Sequence, residues 1–148
     1  MAEVRKLVLI EFTPSQMFDL VDGVEAYPQF LPWCSGAEVL GRTEQQTSAR
    51  LHVNYHGITT DFATENAKDF PRRMDIRLVE GPFHHLEGDW VFTPLGDTAC
   101  KVEFRLIYEF SNKLIEKAVG PVFHHIANTF VDAFVKRAEQ VLNKDGRD

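Results

Sequence analysis

Six histidines, two cysteines and scattered acidic side chains are the groups in this 148-residue chain whose types and spacing could do chemistry. His52 and His56 sit four residues apart in an alternating segment, which on a strand places them on one face about 13 Å apart. One zinc cannot bridge that distance, because its ligands each lie about 2 Å from the metal. His84–His85 and His124–His125 are sequence neighbours, and neighbouring side chains diverge on a strand or a helix. Cys34 and Cys100 make no C-x-x-C or other ligand spacing, so both read as free thiols, Cys100 as a small core residue. No metal set is expected. Glu87 and Asp89 fall on one strand face about 7 Å apart, near the separations that paired-carboxylate hydrolases use. Charged neighbours share that face, however, and a carboxyl held protonated for acid catalysis needs a dry pocket. No G-x-S-x-G elbow and no glycine-rich phosphate loop occurs. Catalytic residues are therefore not assigned, and no cofactor is expected.

Composition narrows the partners. A formal charge of −6 and a pI near 5.5 weigh against sequence-independent nucleic-acid binding, whose affinity comes from Lys and Arg on phosphates. DNA is not an expected partner; Arg72–Arg73 and Lys136–Arg137 are the local basic clusters that an RNA contact would use. The length fits one domain, residues 1–148, large enough to bury roughly two thirds of its unfolded surface. The N-terminal segment MAEVRKLVLIEF lacks a signal-peptide core, and no stretch holds eighteen consecutive apolar residues. A soluble, intracellular protein is expected.

The elements that must position these residues follow from hydrophobic periodicity. Ala49, Leu51, Val53 and Tyr55 alternate with Arg50, His52, Asn54 and His56, the pattern of an antiparallel strand dry on one face. Met74, Ile76 and Leu78 alternate with Arg73, Asp75 and Arg77; Leu86, Trp90 and Phe92 oppose Glu87 and Asp89. The longest such run is Cys100, Val102, Phe104, Leu106, Tyr108 and Phe110. Gly57, Pro71, Gly81–Pro82 and Pro94–Leu95–Gly96 read as turns. With VRKLVLIEF and Ala37 to Thr43, about seven strands result, six of them consecutive, as in a meander. Thr13, Pro14 and Gln16 spell a capping box with proline at the first helical position. From Ser111 to about Asn143, Ile115, Val119, Phe123, Ile126, Phe130, Phe134, Ala138 and Val141 recur at helical spacing; Gly120–Pro121 predicts a kink or break there. A single helix covers a strip only about 10 Å wide. The sheet must curl around it.

Curling leaves an interior that is either filled by aromatic rings or left as a cavity. Tyr55, Phe62, Met74, Trp90, Phe92, Phe104 and Tyr108 line the dry sheet face, opposite Phe123, Phe130 and Phe134. Both outcomes are open on pattern alone. The segment YPQFLPWC (Tyr27–Cys34) is too apolar for a surface loop, since loops run through water. Pro28 can start a short helical turn carrying Phe30 and Leu31, and Pro32 ends it ahead of Trp33. These side chains either plug one end of the curled sheet or form a lip that touches a membrane interface, where Trp is favoured.

Several of these segments carry a resemblance. MFDLV (Met17–Val21), YPQFLPWC, Phe62-x-Thr64-x-Asn66, GPFHHLEGDWVF (Gly81–Phe92), FSNKL (Phe110–Leu114) and DAFVKRA (Asp132–Ala138) resemble the coenzyme-Q-binding START-domain family, which includes the ribosome association toxins and was earlier labelled oligoketide cyclase or lipid transport protein. The resemblance spans nearly the whole chain. It implies an α+β helix-grip fold of the START/Bet v 1 type, in which a curved antiparallel sheet of about seven strands wraps a long C-terminal helix, with two short helices after the first strand. It also implies a hydrophobic tunnel that holds a ubiquinone-type lipid as ligand, in a carrier that supports respiration. The expected lining is Phe30, Trp33, Leu51, Val53, Tyr55, Phe62, Met74, Ile76, Leu78, Phe83, Leu86, Trp90, Phe104 and Tyr108 from loop and sheet, with Phe123, Ile126, Ala127, Phe130 and Phe134 from the helix. Binding to the large ribosomal subunit is the alternative, and a polyketide-cyclase-type enzyme a second one. The chain lacks the N-terminal targeting extension of mitochondrial members, so a bacterial cytoplasmic protein with transient contact at the inner membrane is implied.

Overall fold

A computed structural model describes residues 1–145. Strand β1 (Ala2–Ile10) leads into helix α1 (Pro14–Asp22) and a 3₁₀ helix (Val24–Gln29). Six strands follow: β2 (Cys34–Arg42), β3 (Gln46–Tyr55), β4 (Ile58–Asp69), β5 (Arg73–Glu80), β6 (Phe83–Leu95) and β7 (Ala99–Phe110). Helix α2 (Lys113–Asp145) closes the chain. The strands form one antiparallel sheet in the order β1-β7-β6-β5-β4-β3-β2. The first strand therefore sits beside the last, while every other neighbour is a hairpin partner. This is the α+β helix-grip arrangement.

Local chemistry explains most boundaries. Thr13 Oγ1 accepts from Gln16 N at 3.2 Å and Thr13 N donates to Gln16 Oε1 at 2.9 Å, so the capping box forms as the sequence spells it. Asn112 Oδ1 accepts from Ile115 N at 2.9 Å, which starts α2 two residues later than the periodicity predicts. The helix is continuous through Gly120–Pro121, so no break occurs there. His56 and Gly57 both adopt positive φ, 50° and 80°, and make the two-residue turn between β3 and β4. Such turns match the strand twist. His56 thus caps the hairpin and does not share the strand face of His52. Strand β6 runs on through Pro94 and Leu95, which pair with Cys100 and Ala99, so the turn begins only at Gly96.

The inward faces of sheet and α2 meet in a chain of aromatic rings. Phe123 packs against Phe83 and Tyr108, each with ring centroids 4.8 Å away. About two turns further along the helix, Phe130 meets Trp90 at 5.8 Å and Phe104 at 5.7 Å, and one turn beyond it Phe134 meets Trp90 at 5.4 Å. Phe83 and Leu86 are an odd number of residues apart yet both buried. A bulge in the β6–β7 register between Phe83 and His85 makes this possible.

YPQFLPWC splits between inside and outside. Tyr27, Leu31, Trp33 and Cys34 are buried, Phe30 is half-buried, and Pro28, Gln29 and Pro32 face water. Pro28 lies near the end of the 3₁₀ helix and does not start a turn of its own, because Val24 and Tyr27 are already held by the packing around them. The Tyr27 hydroxyl donates to Val21 O at 2.5 Å, and Tyr27 rests against Phe134 at 5.3 Å. Trp33, only 3 % exposed, packs on Phe130 at 6.1 Å. The segment plugs the end of the sheet.

Candidate ligand cavity

Between the curled sheet and α2 lies an apolar cavity of about 70 Å³. Strands β3 to β7 supply Leu51, Phe62, Ile76, Leu86, Trp90 and Phe104, and α2 supplies Phe123, Ile126, Ala127 and Phe130. Trp33 closes the loop side. The structure brings these eleven of the expected residues together around one space. The strand members reach one space because residues two apart on a strand share a face.

Eight expected lining residues lie elsewhere. Val53, Met74 and Phe134 are buried in the core and do not line the cavity. Phe83 and Tyr108 are buried with Phe110 at the far end of the sheet, where the Tyr108 hydroxyl contacts His124 Nδ1. Leu78 pairs across from Thr64 but is only half-buried beyond the cavity wall. Phe30 and Tyr55 line a separate outer groove of about 450 Å³ between the 27–34 segment and α2. There the Arg137 guanidinium sits 5.2 Å from the Phe30 ring centroid, and Tyr55 stacks on His125 at 5.7 Å. Trp33 lines both spaces and is the wall between them.

Six lining residues were not among the expected ones: Val24, Tyr27, Ala49, Thr64, Asn66 and Leu106. Ala49 and Leu106 follow the same dry-face alternation as their neighbours, and that signal could have found them. Thr64 and Asn66 continue the inward face of Phe62 on β4, but polar side chains carry no hydrophobic signal. Each is 9 % exposed. Asn66 Oδ1 has no hydrogen-bond partner among the described residues.

The expected tunnel is much narrower than a polyisoprenoid needs. A cavity of about 150 Å³ is what a benzene ring occupies, and the observed space is about half of that. Rings from sheet and helix interlock across the interior and fill most of it.

No lining residue carries a charge. Burial raises the pKa of Tyr27 far above that of a free phenol, with Asp22 adding to the effect, and pushes Tyr108 up to about 12. Charges cluster instead on the outer sheet face. Asp89 takes Arg105 at 3.1 Å and Arg73 at 3.3 Å, and Glu87 lies 3.1 Å from His85. The Glu87–Asp89 pair is therefore engaged by basic partners outside the dry interior. His52 Nε2 lies 2.6 Å from Glu38, and no cluster of three metal-ligating side chains occurs among the described residues.

Residues 10–135 match the family described as polyketide cyclase / dehydrase and lipid transport. The chain belongs to that family. Among curated relatives it is 45 % identical to the ribosome association toxin RatA of Vibrio cholerae, over 97 % of this chain and all of that one. It is 28 % identical to the coenzyme Q-binding protein COQ10 homolog B of Xenopus laevis, over 92 % of this chain and 57 % of that protein. Among solved structures, a START superfamily protein of Mycobacterium smegmatis superposes with a TM-score of 0.73 at 24 % identity, covering 94 % of this chain and 98 % of that one. The Zhui aromatase/cyclase of Streptomyces superposes at 0.78 with 16 % identity, covering 95 % of each chain, a likeness of fold alone. Aldol cyclisation needs placed acid–base groups. In this family member the cavity offers only the Thr64 hydroxyl, the Asn66 amide and a Tyr27 hydroxyl already bonded to Val21 O.

Proposed function

We propose that this chain binds a neutral hydrophobic ligand of the ubiquinone type between sheet and helix, as a carrier and without catalysis. The observation that carries this is the uncharged, mostly apolar cavity at the centre of the grip, seven of whose seventeen lining residues are aromatic. Apolar burial at about 25 cal/mol per Å² would drive binding, less the cost of moving the rings that now fill the space. The coenzyme Q-binding relative supports the ligand class. No helix among the described residues is long and apolar enough to cross a membrane.

Two tryptophans line the cavity, which supplies the assay. Titration with a short-chain ubiquinone should quench the Trp33 and Trp90 emission saturably. Organic extraction of the purified protein, read by mass spectrometry, should recover a prenylated quinone or a related lipid. Unquenched emission and a lipid-free extract together would refute carriage.

Ribosome association is the second reading, favoured by the 45 % identity to RatA across the whole chain. The basic clusters fit it poorly. Arg72 pairs with Asp69, Arg73 with Asp75 and Asp89, and Arg137 with Gln29 over the Phe30 ring. If ribosomes are the target, co-sedimentation with large subunits should weaken steeply with salt and fall further on Lys136→Ala, a change that leaves quinone quenching intact.

A further inference from the structure

Arg137 on α2 has no carboxylate partner among the described residues, whereas every other arginine among them pairs with one. Two neutral groups hold it instead. Its Nη2 donates to Gln29 Oε1 at 2.9 Å, and its guanidinium carbon sits 5.2 Å from the Phe30 ring centroid. Both anchors belong to the 27–34 region, so the fork is fixed in place while its charge stays unbalanced. Arg137 Nε is buried without an acceptor. A ligand can therefore meet only the terminal nitrogens. Arg137 lines the outer groove, whose volume of about 450 Å³ is in the range of small-molecule sites. Phe30 and Trp33 form one wall of that groove, with Tyr55 at the end of β3 and its stacked partner His125 on the other side. Asp132 and Lys136 also line it, four residues apart on α2, where opposite charges offset each other. Arg137 is left to set the sign.

We infer that the outer groove binds a small aromatic anion, a carboxylate, sulfonate or phosphate monoester carried on a ring, with Arg137 as its anchoring cation. Three observations fix the class. A guanidinium held in one orientation and lacking a carboxylate suits a single oxyanion, because charge-assisted hydrogen bonds to a planar fork are strong and directional. The rings of Phe30, Trp33 and Tyr55 suit another ring, met edge-on or offset. A polyanion such as RNA would find one unbalanced positive charge here, on a chain whose formal charge is −6. The groove lies across Trp33 from the inner cavity, and its occupancy does not depend on a quinone binding there.

The test titrates the full chain with two fluorescent dyes that differ by one sulfonate, 8-anilinonaphthalene-1-sulfonate and N-phenyl-1-naphthylamine. Arg137→Gln should weaken binding of the sulfonate about tenfold, the worth of one hydrogen bond to a charged group, and should leave the uncharged dye where it was. Asp132→Asn removes the one carboxylate that lines the groove and should act the other way, tightening the sulfonate about threefold without moving the uncharged dye. Asp132 is an exposed helix residue, so this second variant keeps the test open should Arg137→Gln fail to fold. In the native protein 1-naphthoate should displace the sulfonate dye. Equal weakening of both dyes by Arg137→Gln would show that packing over Phe30, not charge, governs the groove, and would overturn the inference. So would sulfonate affinity that neither variant changes, which places the dye elsewhere. Displacement by hexauridylate and not by 1-naphthoate would overturn it in favour of RNA.

Discussion

Trp33 is the side chain on which the two spaces of the molecule depend, since it walls the inner cavity on one side and the outer groove on the other. A lip residue would be exposed at the surface, and Trp33 is 3 % exposed with its ring on Phe130. Trp33→Ala should therefore cost about 3–5 kcal/mol, as large-to-small core changes do. In a domain of this size that lowers the melting temperature by roughly 10 °C, and calorimetry reads it directly. A variant that melts with the native protein would return Trp33 to the surface. The thiols make a milder case. Burial raises both, Cys100 to about 11, and the Gly36 backbone beside Cys34 offsets only part of the effect there. A raised pKa leaves the neutral thiol at pH 7.5, and the neutral thiol is a poor nucleophile. Iodoacetamide should label neither cysteine in the folded protein within minutes and both in denaturant; rapid native labelling of one would show it to be accessible.

At the scale of elements, the grip is held at its open edge by Arg42 at the end of β2. Its guanidinium donates to both Glu25 oxygens, at 2.7 and 2.8 Å, and to Asp22 O at 2.8 Å, tying the strand to the α1–3₁₀ corner. The hydrogen bond from Arg42 lowers the Glu25 pKa to about 2. A depressed folded pKa adds stability above the unfolded value, and that stability is lost as pH falls from about 4.5 toward 2. Glu25 is more than half exposed, so solvent screens the pair and the contribution is under about 1 kcal/mol. Glu25→Gln should lower the melting temperature by only a few degrees at pH 7 and by much less at pH 2, where the carboxyl is about half protonated even in the folded state; an equal loss at both would mean that packing, not charge, holds the corner. Strand β6 makes a harsher demand. A Cβ at Gly88 would lie 2.2 Å from Arg105 O on β7, which is backbone and cannot step aside. Gly88→Ala should destabilise by about 1–3 kcal/mol or more, with denaturant midpoints as the measure. Much of this level was legible beforehand. Six inward residues of β7 alternate with six outward ones because one face is dry and the other wet, and Thr13 with Gln16 announces α1. The 3₁₀ helix was misplaced because Pro28 looks like a start, while tertiary burial of Val24 and Tyr27 decides the matter. The bulge that turns Phe83 inward leaves no trace in composition. Thr64 and Asn66 were visible as a motif, but nothing in a sequence says that Thr47, across the sheet from Asn66, donates its hydroxyl to Asp22.

For the whole molecule, the open question in the sequence was whether aromatic rings fill the grip or leave a hole, and the answer is that they nearly fill it. Cavity volume is set by how rings interlock, and the spacing of Phe and Trp along the chain fixes only that they meet. A space of about 70 Å³ admits part of a ring, so a quinone must displace a side chain to enter. Phe130 is the candidate, because it touches Tyr27, Trp33, Trp90, Phe104 and Phe134 from the helix side and yet is only half-buried. Phe130→Ala should therefore move two quantities in opposite directions. The unliganded protein loses about 3 kcal/mol of packing. The ligand no longer has to expel a ring, so its affinity rises. Since a ligand that binds only the folded state stabilises it by RT ln(1 + [L]/Kd), the melting shift produced by a fixed concentration of short-chain ubiquinone should be larger in the variant than in the native protein. Differential scanning fluorimetry across a ligand series measures both. If Phe130→Ala instead melts lower and loses the ligand shift altogether, Phe130 is a wall that holds the ligand and the ring that yields lies elsewhere, at Trp33 or Phe104. If neither protein shifts, the cavity is only the gap left where a curled sheet meets a helix, and the surface that matters is the one facing a ribosome.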